Sequence, residues 1–254
     1  MIDYAQRLTD EITGGTERLS PAERDASHPN LRPRDAATLI LIDRTGRETK
    51  VLLGRRHHGH TFMPGKFVFP GGRVEPVDRL MPVAASLHPQ TEARLMRSVQ
   101  RPSAGKARAF ALAAIRETFE ETGLLVGKKQ KLPPRGVGAP WTKYANAGFA
   151  PDLSGMHFIA RAITPPRRVR RFDSRFFAAD AGSIAHRIGG AVSPQAELVE
   201  LVWIPLSEAK RVDMPLITEI VLEELTTRIA AGLRSNLPVP FYRWIRGRCV
   251  RELL

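Results

Sequence analysis

The sequence predicts an α/β (α+β) sandwich built on a mixed β-sheet, and three observations carry that expectation. An apolar, β-rich run over 36–43 (AATLILID) is followed by a turn at Thr45-Gly46-Arg47 and a returning run over 50–56 (KVLLGRR), the pattern of a hairpin in a core sheet. Residues 107–122 form an Ala-rich stretch without Gly or Pro that stops at Gly123, where a helix-terminating glycine belongs. Residues 217–231 have the apolar spacing of an amphipathic helix. Strands mixed with two solid helices pack as layers around a shared core.

The remaining elements follow in order. Residues 1–35 are polar and punctuated by Gly14-Gly15, Ser20-Pro21, His28-Pro29-Asn30 and Arg32-Pro33, so they read as an N-terminal arm with room for one short helix. Residues 57–65 are a loop, and 67–69 a short strand that stops at Pro70-Gly71-Gly72. The stretch 78–105 is mixed, with a short helix over 91–99 between Pro89 and Pro102. Residues 128–138 are a basic Pro/Gly loop. Strands are expected at 156–163, 175–179 and 197–204, the first two separated by an Arg-rich loop at 165–171. The chain thus divides into the arm, a main domain over 36–236, and a basic C-terminal tail over 237–254 that holds Trp244 and packs back on the body.

Composition narrows the class. With 254 residues, 43% of them hydrophobic, the chain has material for a large core, and wholesale disorder is excluded. The single cysteine, Cys249, excludes a disulfide framework within the chain and a Cys-rich zinc site. The first residues lack the apolar stretch of a signal peptide, and no apolar run is long enough to span a bilayer, so a cytoplasmic protein without membrane contact is expected. The net charge is +13, and only eight of the 39 cations are Lys. The planar fork of Arg suits phosphate. An Arg-rich solvated surface is the competing explanation.

The chemistry concentrates in Arg116-Glu117-Thr118-Phe119-Glu120-Glu121-Thr122-Gly123-Leu124. On a helix Glu117, Glu120 and Glu121 share one face within a turn. Like charges at that spacing repel, and folding does not ask for them. A hard divalent cation resolves the repulsion, since Mg²⁺ takes carboxylate and water oxygens beside substrate phosphates. The other face carries Ala111, Leu112, Ile115 and Phe119, which anchor the helix in the core. An isolated E-x-x-E-E is otherwise a solvated acidic face. Upstream, the Gly pair of Phe69-Pro70-Gly71-Gly72-Arg73-Val74-Glu75 lets backbone approach a ligand closely.

Together these segments resemble the box of the Nudix hydrolases, G-x5-E-x7-R-E-U-x-E-E-x-G-U. Gly72 matches the opening glycine, and Arg116, Glu117, Glu120, Glu121, Gly123 and Leu124 match the closing half. Three departures stand out. Asp78 occupies the position of the first-half Glu, Thr118 replaces an aliphatic residue, and the gap from Asp78 to Arg116 is about thirty residues longer than the family's. An interrupted box with an insertion over 79–106 is similar to the subgroup that includes the peroxisomal coenzyme A diphosphatase. The stretches 60–72 (HTFMPGKFVFPGG) and 171–177 (RFDSRFF) also look like that subgroup. The resemblance implies a Nudix-type α/β/α sandwich, with the insertion beside the active site as a substrate cap or a dimerisation element.

Residue by residue, the resemblance implies that Glu120 and Glu121 bind Mg²⁺ or Mn²⁺. Glu117 is implied as a further ligand or as the base for the attacking water. Arg116 holds a carboxylate in place, and the Gly71 carbonyl is a backbone ligand. Glu197 is expected as a catalytic Glu from outside the box, with Glu200 in reserve; either is otherwise a strand-edge charge. Arg55 and Arg56, at a strand end, clamp phosphate or are ordinary strand-end cations. His57, His58 and His60 crowd one loop and read as a polar loop near substrate, with His60 in contact, rather than as a metal site. Gly72 and Arg171 complete the substrate-binding set. The four arginines over 167–171 contact a nucleotide 3′-phosphate or RNA, or form a solvated charge run.

The function implied is metal-dependent hydrolysis of the phosphoanhydride in a nucleoside diphosphate linked to another moiety. The subgroup points to coenzyme A or acyl-CoA, with ADP-ribose, NADH and a capped RNA end still open. The partner expected is a nucleotide-type small molecule; a nucleic acid is less favoured, and a homodimer stays open. The alternative is a non-catalytic nucleotide-sensing or RNA-binding module on the same scaffold.

Overall fold

The structure is a computed structural model and describes residues 4–13, 21–59 and 63–254. Helix α1 (Tyr4–Thr13) and the single turn α2 (Pro21–Arg24) precede the predicted hairpin of β1 (Arg34–Asp43) and β2 (Lys50–Arg56), in which Ile42 faces Val51. Next come β3 (Phe67–Val68), β4 (Gly71–Arg73), α3 (Pro89–Leu95), α4 (Ala104–Thr122) and β5 (Leu124–Lys129). After α5 (Thr142–Asn146) follow β6 (Phe149–Pro151), β7 (His157–Ile163), β8 (Phe172–Asp180), β9 (Ile184–Arg187) and β10 (Leu198–Pro205). Helix α6 (Leu216–Ala230) and the hairpin β11 (Pro240–Ile245) and β12 (Arg248–Leu253) close the chain.

The strands make a nine-stranded mixed sheet in the order β10-β2-β1-β8-β7-β11-β12, with β3 added to β2 and β4 to β1. The β1–β8 and β7–β11 pairs are parallel and the other pairs are antiparallel. A second, three-stranded sheet runs β6-β5-β9. Period-2 alternation splits the apolar residues of β1 between two cores. Ala37, Leu39 and Leu41 pack against α4 with Phe110 and Ile115. Ile40 and Ile42 pack on the other face with Leu8 of α1 and Ile220 and Leu225 of α6. The result is an α/β/α sandwich, as expected. Among the described residues, no helix is long and apolar enough to cross a membrane.

Helix α4 is buried almost all round, because the small sheet covers the flank that the large sheet leaves open. It begins at Ala104, earlier than propensity suggests, because the Ser103 hydroxyl accepts from the Lys106 N–H at 3.2 Å. It ends at Gly123, with φ of 75°. Any Cβ there would sit 2.0 Å from the Ile188 carbonyl oxygen, which leaves glycine as the residue that fits. Thr118, the unexpected polar residue, is fully buried and donates to the Ala114 carbonyl at 2.7 Å, so its hydroxyl is satisfied without a side-chain partner.

Two expectations change. The insertion, expected beside the active site, runs along the sheet flank and reaches the cleft only at its rim, where Gln100 accepts from Arg32. Ala84 N–H donates to the Pro151 carbonyl and Leu153 N–H to Ala85. Arg94 holds the Ser235 and Asn236 carbonyls, and Arg161 of β7 grips the Arg97 and Ser98 carbonyls while pairing with Asp173 at 2.7 Å. These bonds tie the insertion to the sheet flank, and no residue of 79–106 lines the large cleft described below. The C-terminal segment is more than a tail. Its two strands extend the main sheet through Phe241 and Tyr242 against Arg161 and Ala162 of β7. The Thr9 hydroxyl of α1 accepts from the Cys249 N–H of β12 at 2.9 Å, so the arm's helix docks on that extension.

Candidate active site

The C-terminal half of α4 approaches the β4 edge of the sheet, and the Gly pair makes that approach possible. A Cβ on Gly72 would lie 2.5 Å from the Glu117 carboxyl, so the carboxylate occupies space that only glycine leaves. Gly71 N–H donates to Glu121 Oε2 at 3.1 Å. A Cβ on Gly71 would meet the Ala37 carbonyl oxygen at 2.6 Å, so backbone requires glycine there, whereas at Gly72 it is the position of the Glu117 carboxylate that does.

Arg116 organises the cluster from beneath. Its Nη1 donates to Glu117 Oε1 at 2.9 Å and to Glu120 Oε2 at 3.1 Å, and its Nη2 donates to the Arg73 carbonyl at 2.8 Å. Its Nε donates to Asp78 Oδ1 at 2.9 Å. Asp78 is fully buried and also accepts from Trp141 Nε1 at 3.0 Å and from the Glu75 N–H at 2.7 Å. Burial alone would lower the Arg116 pKa, but the Asp78 hydrogen bond and the fields of Glu117, Asp78 and Glu120 outweigh it and hold it above the ordinary value. Arg116 is therefore a fixed positive post at the centre of the acidic turn.

The carboxylates respond to burial. Glu117 is pushed up to about 7, chiefly by desolvation, against the pull of Arg116 and with a push from Glu120. Glu120, more exposed, is raised by the same cause. Glu121 is raised well above the usual carboxylate range by burial and by the neighbouring Glu197, with Arg56 opposing. Arg56 in turn donates to Glu197 Oε1 at 2.6 Å, so Glu197 from the segment before β10 joins the same cluster.

These groups border a cleft of about 1060 Å³. Glu117, Glu120, Glu121, Gly71, Gly72, Arg116, Arg56, Glu197 and Arg171 all line it. Arg55 does not: strand alternation turns it away from Arg56, and its Nε pairs with Glu200 at 2.8 Å. The expected substrate role of Arg55 is thereby corrected, and Glu200 leaves the site with it. His60 lies outside the described residues. Arg171 borders the cleft, but its guanidinium holds the Leu31 carbonyl and Asn30 Oδ1, both at 2.6 Å, so it braces the wall.

The donor set is one a hard cation prefers: carboxylate oxygens plus a backbone carbonyl, with two carboxyls that burial forces toward the neutral form. Among the described residues no three acidic, His or Cys side chains form a ready-made metal cluster. Arg116 accounts for this, since it draws Glu117 and Glu120 to its own Nη1. The residue types fit a divalent ion.

Sequence reasoning underrated one part of the cleft. Alternate residues of β1 on one face are Arg34, Ala36, Thr38, Ile40 and Ile42. The isoleucines are core, whereas Arg34, Ala36 and Thr38 line the cleft beside Phe172, Ser174 and Phe176 of β8. The signal was the change from large apolar to small and polar residues along one strand face.

Comparison with known proteins identifies the family and the fold. A family model described as NUDIX domain matches residues 32–225. The chain is similar to a NUDIX hydrolase from Alicyclobacillus acidocaldarius: 28% identity, 79% of this chain and 96% of that chain covered, TM-score 0.56. It is more distantly similar to RenU, a Nudix hydrolase from M. smegmatis, at 16% identity with 78% and 86% covered and a TM-score of 0.42. The NUDIX domain of Shewanella oneidensis NrtR, solved with ADP ribose, is 13% identical with 78% and 90% covered, TM-score 0.42.

Proposed function

The chain belongs to the NUDIX domain family, and on that premise we propose that this Nudix pyrophosphohydrolase cleaves, with a divalent metal ion, the phosphoanhydride of a nucleoside diphosphate joined to another moiety, with coenzyme A or acyl-CoA as the leading substrates. The convergence of Glu117, Glu120, Glu121 and Glu197 with the Gly71-Gly72 pair at the edge of one large cleft carries this reading. Enzymes of this family act on nucleoside diphosphate derivatives and generally use divalent metal ions. The resemblance of the interrupted box to the CoA-cleaving subgroup supports the substrate.

Glu120, Glu121 and the Gly71 carbonyl, with Glu117 as a further ligand or the base, are the groups that would hold Mg²⁺ or Mn²⁺. When bound, such an ion neutralises charge on the non-bridging oxygens and acidifies the attacking water. The rest falls to the chain. Arg116 fixes Glu117 and Glu120, the Gly71 N–H fixes Glu121, and Arg56 fixes Glu197. Glu117, which burial holds above the usual carboxylate range in the metal-free chain, is the carboxylate that would take a proton from water. The water oxygen bonds to phosphorus as the anhydride P–O bond breaks. The proton goes to the carboxylate, and the second phosphate leaves with its electron pair. No covalent enzyme intermediate is needed.

The test is a phosphate-release screen over CoA, acyl-CoA, ADP-ribose, NADH and a capped RNA, with Mg²⁺ or Mn²⁺ and alkaline phosphatase as the coupling enzyme. Turnover of CoA that disappears in Glu121→Gln supports the reading. Silence on every substrate from folded, metal-binding protein shifts the assignment to a nucleotide-sensing or RNA-binding module.

A further inference from the structure

We propose that the wall of the cleft formed by Arg34, Arg73 and Arg170 is a subsite for a second anionic group, a phosphomonoester carried by the substrate in addition to its diphosphate. The proposal rests on the hydrolase reading above and deepens it by naming a substrate class, nucleotides phosphorylated on the ribose. The three side chains are exposed and line the cleft, and none makes a side-chain hydrogen bond or ion pair among the described residues.

Strand geometry brings them together. Arg73 of β4 lies opposite Ala36 of β1, which makes Arg34 its diagonal neighbour on the same sheet face, roughly 7–8 Å away. The Arg34 N–H donates to the Arg171 carbonyl at 2.9 Å, so the loop carrying Arg170 ends against the same strand end. Gly72 faces Glu117, and alternation sends the next residue, Arg73, to the opposite face. The cleft therefore wraps around β4, with carboxylates on one side and free guanidinium groups on the other.

Unpaired cations are not the rule on this sheet. Arg55, Arg56, Arg161 and Arg243 each pair with a carboxylate. Arg34, Arg73 and Arg170 share this wall with one carboxylate, Glu75, which the β1–β4 register carries opposite Arg34, so cations are in excess, and a phosphate dianion relieves that excess through bidentate hydrogen bonds. A discrete group fits better than a nucleic-acid track, because Arg168 and Arg171 of the same loop are spent on the Asp25 and Leu31 carbonyls. Leu31 and Val169, 47% and 41% exposed, stand on the same wall and offer apolar contact to the organic part that bears the phosphate.

The test compares substrates that differ only in that phosphate: CoA with dephospho-CoA, and NADPH with NADH, with Mg²⁺ present. The expected result is a kcat/KM at least tenfold higher for the phosphorylated member of one pair, carried by KM; which pair responds assigns the phosphate to the ribose 3′ or 2′ position. In Arg34→Gln/Arg170→Gln the preference falls to within twofold, whereas Arg211→Gln, an exposed arginine outside the cleft, retains it. Calorimetry of adenosine 3′,5′-bisphosphate and adenosine 2′,5′-bisphosphate against AMP reads the same subsite without turnover, with one bisphosphate expected to bind at least tenfold tighter. Equal kcat/KM within both pairs together with equal nucleotide affinities overturns the subsite, as does a double variant that weakens both members of a pair equally. Absence of turnover with a retained bisphosphate preference overturns the hydrolase reading and leaves the subsite standing.

Discussion

Asp78 and Arg116 meet across the insertion: separated by 38 positions in the chain, they form a buried two-point pair, Nε to Oδ1 at 2.9 Å and Nη2 to Oδ2 at 3.3 Å. This ion pair, with the Gly71 N–H to Glu121 and Arg116 to Arg73 carbonyl bonds, closes the two halves of the interrupted motif on each other, and the residues between them run along the sheet flank. Asp78 accepts four hydrogen bonds in all, so its charge is compensated in full.

Removing that charge should be costly. In Asp78→Asn the buried Arg116 keeps its own charge and loses its principal partner, a change expected to cost about 3–5 kcal/mol of stability. Arg116 would also hold Glu117 and Glu120 less firmly, so activity should fall with stability. Urea denaturation checks the first effect. A variant within about 1 kcal/mol of wild type would show that the pair is not the clasp described here.

Glu121→Gln should separate activity from stability. Burial and Glu197 raise the Glu121 carboxyl, and Glu117 titrates near 7, so between the ordinary value of 4.5 and those raised values the folded state binds more protons than the unfolded chain. Stability of the metal-free protein therefore falls as pH rises through that window. Neutralising Glu121 relieves part of this cost, and the metal-free variant should melt no lower than wild type at pH 8. Its turnover should drop by about 100-fold or more. Wild type should gain about 2–3 kcal/mol from Mn²⁺ at a hundred times its dissociation constant, a gain the variant lacks. A variant stabilised by Mn²⁺ as strongly as wild type would remove Glu121 from the metal site.

Gly72→Ala tests the steric role of the glycine. The new methyl would stand 2.5 Å from the Glu117 carboxyl, which is the movable end of a side chain, so the fold can accommodate it by displacing that carboxylate. A displacement of about 1 Å at a reacting group costs on the order of 100-fold in rate. Steady-state kinetics should show the loss in kcat, with the melting temperature nearly unchanged. Full activity would mean that the position of Glu117 is not critical.

His157, at the start of β7, has its pKa lowered by burial and by Arg228 and Arg44, with Asp180 and a backbone hydrogen bond to Leu233 opposing. Below the ordinary value of 6.5 the unfolded chain takes up a proton that the folded chain resists. The sign is then fixed: this contribution is fully present above about pH 6.5 and is lost as pH falls through the window beneath it. Melting curves from pH 7.5 to 5.5 should show a decline that His157→Gln flattens. An identical slope in the variant would assign the decline to other groups.

How much was legible beforehand differs by element. The β1–β2 hairpin, α4 with its Gly123 stop, and α6 stood out because turn chemistry, helix propensity and apolar periodicity are local properties, readable over a window of about fifteen residues. Glu117, Glu120 and Glu121 were legible for the same reason, since one helical turn sets their shared face. The placements of Arg55 and the insertion were not. Whether a strand-end arginine faces the cleft depends on which face the sheet buries, and the course of 79–106 depends on Arg94 and Arg161 reaching carbonyls far away in the chain.

By itself, then, the sequence determined a helix presenting three carboxylates beside a glycine pair, in a layered α/β chain with one hairpin at its centre. The tertiary structure decided what those parts meet. It joined Asp78 to Arg116, brought Glu197 to Arg56 beside Glu121, turned the C-terminal segment into a hairpin whose first strand pairs with β7, and left Arg34 and Arg73 as diagonal neighbours on one sheet face. The physical reason is that parallel strand pairing and long-range ion pairs are selected by the packing of a whole layer, so no short stretch of residues carries their signature.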